Sequence, residues 1–209
     1  MRAAWLVLAA CGPPAQGPVE VSTAAPAAYP GALRDPAELP HDFFVRQTLG
    51  VHAKSPSGTP VSAELDTVVQ KQGPELLILG FGPMNVKAFK ISQRAGLIRF
   101  EQYAGPPLAF SPRNIVVDVH RVFFDRLPAP PEGFEGVHHG MLEGESVEER
   151  WRAGNLRSVV FTRAGFKGAV RVTLGEGCGP QYCEPRTAEL TNEWFDYSLT
   201  IVNEPFERL

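Results

Sequence analysis

The stretch HDFFVRQTLGVHAKSPSGTPVSAELDTVVQ, residues 41–70, decides how this chain folds. Phe43, Val45, Gln47, Leu49 and Val51 fall on one side of a period-two pattern, and Phe44, Arg46, Thr48 and His52 on the other. After Ser55-Pro56-Ser57-Gly58 the alternation resumes, with Val61, Ala63, Leu65, Thr67 and Val69 set against Ser62, Glu64, Asp66 and Gln70. Successive side chains of a strand point to opposite faces, so both runs read as half-buried antiparallel strands joined by a turn.

Downstream the meander continues. Gln72-Gly73-Pro74 is a turn, and Leu76-Leu77-Ile78-Leu79-Gly80-Phe81 is a continuous apolar run expected to be covered on both faces. Residues 85–92 and 96–103 predict a hairpin around Arg94-Ala95-Gly96. The pattern then changes period. Ser111 is a suitable N-cap and Pro112 suits the first helical position. Ile115, Val116, Val119, Val122 and Phe123 share one helical face, with Arg113, Asp118, Arg121 and Asp125 largely off it. Leu127-Pro128-Ala129-Pro130-Pro131 ends the helix. Residues 137–152, interrupted by Gly140 and Gly144, predict an irregular hairpin. Ser158–Thr162, Ala169–Leu174 and the alternating set Phe195, Tyr197, Leu199 and Ile201 return to strands. The fold class expected is mainly β, with one helix covering an antiparallel sheet that needs an apolar cover.

Upstream lies a different kind of segment. Leu8-Ala9-Ala10-Cys11, after the apolar run from Ala3 to Val7, looks like a bacterial lipoprotein signal ending in its acylated cysteine. Only ten residues precede Cys11 and Arg2 is the sole basic one, so the alternatives are a start further upstream or a plain apolar N-terminus. Pro and Ala dominate residues 12–40, which are expected to form an extended spacer reaching at most about 90 Å at about 3.1 Å per residue. The organisation expected is therefore a signal at 1–10, a lipid-anchored tether at 11–40 and a single domain at 41–209. Gly12, not Asp, after Cys11 favours the outer membrane under the enterobacterial sorting rule.

The chain has 209 residues and a formal net charge of −3, with 21% charged and 44% hydrophobic residues. That suffices for one domain with a substantial core. The absence of a basic run argues against nucleic acid as a partner. Of the three cysteines, Cys178 and Cys183 flank the turn-rich Gly-Pro-Gln-Tyr and predict a disulfide; a two-cysteine metal site is the competing reading, without a second ligand pair at zinc-finger spacing. A disulfide would imply an oxidising compartment.

No Gly-x-Ser-x-Gly elbow, phosphate loop or HExxH occurs, so no catalytic residue, metal site or cofactor is expected. His138-His139 with Glu143 is the nearest polar cluster, but adjacent strand residues diverge, and surface loop positions are the better reading. Asp118 is expected to pair with Arg121 or a strand, not to act as an acid. The aromatics Phe43, Phe81, Phe89, Phe100, Phe123, Phe161 and Phe195 pack a core or line an open cavity; spacing alone serves both readings.

Five patterns together resemble a family of Gram-negative envelope lipoproteins whose domain has no assigned function. They are Phe44-x-Arg46-Gln47, Phe89-x-Ile91 with Ile98, Pro112 with Ile115 and Asp118, Arg157-x-Val159-Val160-Phe161, and Glu189-Leu190-x-Asn192 with Tyr197-x-Leu199-x-Ile201. Members are associated with aryl-polyene or related lipid biosynthesis clusters, and the architecture is similar to that of LolA and LolB. The resemblance implies a curved, incomplete antiparallel barrel whose helix-covered concave face holds an acyl or polyene chain or a lipidated client. Phe43, Val45, Leu76, Ile78, Phe89, Ile115, Val119, Phe123, Tyr197 and Leu199 are the candidate lining of that cavity. The alternatives are an accessory envelope protein that docks a protein partner, or an enzyme acting on a lipid-linked product.

Overall fold

The computed structural model describes residues 16–21, 29–54, 58–104, 111–180 and 182–209. The signal at 1–10, Cys11 and the turn residues 55–57 lie outside them. Two meanders make the sheet. The first runs β2 (Phe43–Lys54), β3 (Pro60–Gln72), β4 (Glu75–Phe81), β5 (Lys87–Arg94) and β6 (Leu97–Gln102), with β1 (Gln16–Val21) added outside β6. The second runs β7 (Gly136–Leu142), β8 (Glu145–Arg152), β9 (Asn155–Thr162), β10 (Val170–Leu174), β11 (Thr187–Asn192) and β12 (Tyr197–Asn203). Antiparallel pairing of β12 with β2, Leu199 opposite Val51 and Ile201 opposite Leu49, fuses them into one sheet. The short β13 (Glu207–Arg208) pairs with the start of β2.

The register of β2 on β3 places Val45 opposite Val69 and Leu49 opposite Leu65, so the alternation read from residues 41–70 becomes a shared apolar face. Val45 and Val69 are fully buried. Further along this hairpin Val61 and Ala63 are exposed, so its far end extends beyond the core.

The link between the meanders carries α1 (Pro112–Phe123), and its contacts reveal the curvature of the sheet. His120 meets Gln93 of β5 at 2.8 Å, and the next residue, Arg121, meets Glu145 of β8 at 3.0 Å. Those strands are eight positions apart in the sheet, about 38 Å if it were flat at about 4.8 Å per strand. Consecutive residues of one helix about 10 Å across reach both only because the sheet curls around the helix. Its outermost strands are β1 and β7.

Several expectations are corrected. Residues 12–40 do not form a free spacer: 16–21 are strand β1, and Tyr29 and Leu39 are 1% and 4% exposed in the core. Pro30 and Pro36 lack the amide that a ladder uses, and their segment docks through side chains and carbonyls instead, so the folded unit includes residues well before 41. Residues 11–15 and 22–28 of the expected tether lie outside the described residues. The hairpin at 136–152 is regular: Glu143 and Gly144, both at positive φ, form its turn, and Gly140 sits inside β7 because a Cβ there would meet Leu127 Cδ2 at 2.6 Å. Phe195 lies in the β11–β12 turn, and the strand starts at Tyr197. In β4 only Leu76, Ile78 and Gly80 are buried, while Leu77, Leu79 and Phe81 on the other face are half-buried. The helix stops at Phe123, before the proline run, because Arg126 folds back to donate to the carbonyls of Arg121 and Val122 at 2.8 and 2.6 Å. Those carbonyls have no amide partner at the end of a helix.

Candidate functional site

The helix α1 is the centre of the site. Its apolar side packs as the period predicts: Val116, Val119, Val122 and Phe123 are buried, and Phe123 and Phe124 enclose the Phe43 ring together with Phe206. Its polar side is buried as well, at Arg113, Asp118, His120 and Arg121. What covers it is an irregular strap, residues 29–39, which leads into a 3-10 turn at Pro36–Glu38. Arg113 donates to the carbonyls of Tyr29 (3.3 Å) and Gly31 (2.5 Å), and Arg121 to that of Pro30 (3.0 Å). The close approach requires a glycine: a Cβ on Gly31 would meet Val117 at 2.7 Å, and φ there is +124°.

Around this seam lies a buried polar cluster. The Tyr29 hydroxyl donates to Asp118 at 2.5 Å, Tyr197 donates to the other oxygen of the same carboxyl, and Asn192 donates to both phenols at 3.1 Å. Arg121 lies 3.7 Å from Asp118 and among the rings of Tyr29, Phe161 and Trp194. Burial pushes the Asp118 carboxyl above its ordinary range, against the opposing pull of Arg121 and the two phenols. Burial likewise raises both tyrosines, with Asp118 adding to the shift.

Toward the other end of the helix, His120 and Asp125 are buried. Desolvation drives His120 down to about 3, with Arg34 helping, and lifts Asp125 to about 6 against Arg121, Arg126 and Arg34. A relay crosses the seam here: Gln93 Oε1 accepts from His120 Nε2 at 2.8 Å and Gln93 Nε2 donates to the Arg34 carbonyl at 2.8 Å, while Arg34 donates to the Phe124 carbonyl at 3.3 Å.

The candidate lining residues are brought together. Phe43, Val45, Leu76, Ile78, Phe89, Val119, Phe123 and Tyr197 belong to one buried cluster, and Ile115 and Leu199 pack against it. Ile115, Val119 and Phe123 belong to α1 itself, and α1 and the strap pack against the strand residues of the set. Two surface grooves, of about 330 and 320 Å³, lie elsewhere: one under Phe81 and Met84 at the β4–β5 turn, the other beside Asp196 and Ser198, with Tyr197 the only candidate lining residue at its edge.

Cys178 and Cys183 are joined by a disulfide, and Arg126 donates to Cys183 Sγ at 3.3 Å. His138 and His139 lie on strand β7 and not in a loop. They face opposite ways, His138 lying 3.6 Å from Glu149, while Glu143 is exposed in the turn. Among the described residues no group of three or more His, Cys, Asp or Glu is placed to hold a metal ion, and no helix is long and apolar enough to cross a membrane. Sequence reasoning missed Tyr29, Asn192 and Glu145 as members of the central cluster. A signal existed for Tyr29, the lone large aromatic in the Pro/Ala-rich segment 12–40.

The family described as "Protein of unknown function (DUF3261)" matches residues 45–205. No curated protein matches the sequence. Among solved structures, a LolA superfamily protein of Nitrosomonas europaea aligns at 9% identity over 81% of this chain and 87% of its own, with a TM-score of 0.47. A domain assigned to an outer membrane lipoprotein-sorting protein of Vibrio parahaemolyticus aligns at 10% identity over 83% and 87%, TM-score 0.38. A DUF1329 family protein of Desulfovibrio piger aligns at 12% identity over 82% and 87%, TM-score 0.36.

Proposed function

We propose for this chain, which belongs to the DUF3261 family, the role of a non-catalytic envelope protein whose curled sheet receives an acyl or polyene chain, or the lipidated end of a client. The observation that carries the reading is the architecture of the interior. A long sheet with an apolar inner face curls around one 12-residue helix, and the rest of its cover is an irregular strap. Such an interior opens by moving its irregular cover, without breaking a sheet ladder. The buried ionisable groups of α1 are engaged by internal partners, which supports binding over catalysis. The Cys178–Cys183 disulfide supports an oxidising compartment such as the periplasm. Acylation of Cys11 and placement at the outer membrane complete the proposal. Radiolabelled palmitate incorporated by the wild type and lost in Cys11→Ala is the expected result; equal labelling of both overturns the anchor.

The binding reading is tested by titrating the full chain with pyrene-labelled hexadecanoic acid. Saturable one-to-one binding is expected, and a signal that never saturates overturns it. The filled interior favours a second reading, an accessory protein that docks a protein partner through its outer surface; on that reading the titration stays flat.

A further inference from the structure

The strap at 29–39 has the polarity of the ligand proposed above. Its first three residues present consecutive carbonyls to two guanidiniums, and its later residues bury Leu39 in the apolar core and pack the half-buried Leu33 against it. A carboxylate or ester head on an acyl tail offers the same sequence of groups: oxygen acceptors first, hydrocarbon after. Pro30 contributes an acceptor to Arg121 and no amide donor, which suits a seat lined by guanidiniums.

The strap is also separable from the sheet. Among the described residues, its main-chain hydrogen bonds to other main-chain atoms close only its own turn, Glu38 to Asp35 and Leu39 to Pro36. Its ties to the body, among the described residues, are side-chain contacts and buried apolar surface. The guanidinium fork of arginine matches a carboxylate in two parallel hydrogen bonds and binds it more strongly than it binds a neutral carbonyl.

We propose that the strap is a built-in stand-in for the ligand: Arg113, beside an Arg121 already paired with Glu145, supplies the fork of a head-group seat for a carboxylate-bearing acyl lipid, and loading displaces residues 29–39. This rests on the acyl-binding reading above, and the experiment separates the two. Arg34 is the only Lys or Arg between Arg2 and Arg46, so tryptic cleavage after Arg34 in the full chain reports strap release. Saturating pyrene-labelled hexadecanoic acid is expected to speed that cleavage about tenfold, the factor that one charge-assisted hydrogen bond commands. Tyr29→Phe, which removes the strap's hydroxyl contacts, is expected to raise cleavage without lipid and to tighten lipid binding. Saturable binding with unchanged cleavage at Arg34 overturns the stand-in and leaves the acyl-binding reading in place. No saturable binding to the wild type or to Tyr29→Phe removes both.

The seat has its own readout. The acid probe is expected to bind about tenfold better than the matching pyrene-labelled alcohol, with the preference reduced in Arg113→Gln. Arg113→Lys, which keeps the charge but loses the fork, serves if the first variant does not fold, and an intermediate preference is expected. Equal preference in wild type and variant overturns the arginine seat.

Discussion

His120 and Asp125 sit on the same stretch of chain, and their burial drives stability in opposite directions as pH changes. His120 is held at about 3, below its unfolded value of 6.5, so unfolding takes up a proton between those values. Its contribution is complete above pH 6.5 and is lost as pH falls toward 3. Between pH 8 and pH 4 the loss comes to about 3 kcal/mol. Asp125 is raised from 3.8 to about 6, so the folded state holds the extra proton. Its contribution is present at low pH and is lost as pH rises through 6, about 2 kcal/mol between pH 4 and pH 8. In the wild type the two slopes nearly cancel. His120→Gln and Asp125→Asn each remove one of them, and comparison with the wild type at each pH subtracts every other titrating group, Asp118 included. Urea unfolding followed by tryptophan fluorescence from pH 4 to pH 8 measures the difference. Relative to wild type, His120→Gln is expected to gain about 3 kcal/mol as pH drops to 4, and Asp125→Asn to gain about 2 kcal/mol as pH rises to 8. Fixed offsets are expected from the substitutions themselves and do not affect the slopes. Differences that stay constant with pH in both variants would refute the assignment of buried, oppositely shifted groups to this turn.

Three further outcomes follow from the same contacts. Tyr29→Phe leaves Asp118 with one phenol donor fewer in a buried site, and a thermal melt should show a loss of about 1–3 kcal/mol. Gly140→Ala drives a methyl into Leu127 and should cost about 1–3 kcal/mol, largely relieved by adding Leu127→Val; no relief in the double-mutant cycle would place the strain elsewhere. Replacing both Cys178 and Cys183 with Ser should lower stability by about 2 kcal/mol, as expected for a loop this short, and the fold should persist in urea titrations.

The strands of the first meander and the strand at 197–201 were legible because their residues carry the signal locally. Period-two runs at 43–51, 61–69 and 197–201 say which side chains share a face, and turn chemistry at Gly73-Pro74 and Ala95-Gly96 says where neighbours reverse. The pairing of β2 with β12 was not legible, since the strands lie far apart in sequence and nothing in either names its partner. The strap was misread for a related reason. Proline recurrence rules out helix and central strand, but it does not forbid docking through carbonyls and a single tyrosine. The polar face of α1 was the missing clue. Arg113, Asp118 and Arg121 lie off the apolar face, and pairing Asp118 with Arg121 or a strand accounts for only part of what they need: on a helix inside a curled sheet all three require acceptors and donors, and Tyr29–Gly31 supplies them.

That polar seam bears on why one short helix suffices. Apolar contacts alone hold a helix in a curled sheet with little preference for its rotation or depth, because hydrophobic attraction has no direction. Hydrogen bonds do have direction. His120 to β5, Arg121 to β8 and Asp118 to β12 reach three parts of the sheet from within four residues, and together they allow one rotation and one depth. Each bond that joins α1 to the sheet is made by a helix side chain, while those that join α1 to the strap are made largely through strap carbonyls. Loss of the strap therefore leaves the helix's own anchors on the sheet intact while vacating acceptors at Arg113 and Arg121. An interior arranged in this way separates the element that orders the fold from the element that fills it.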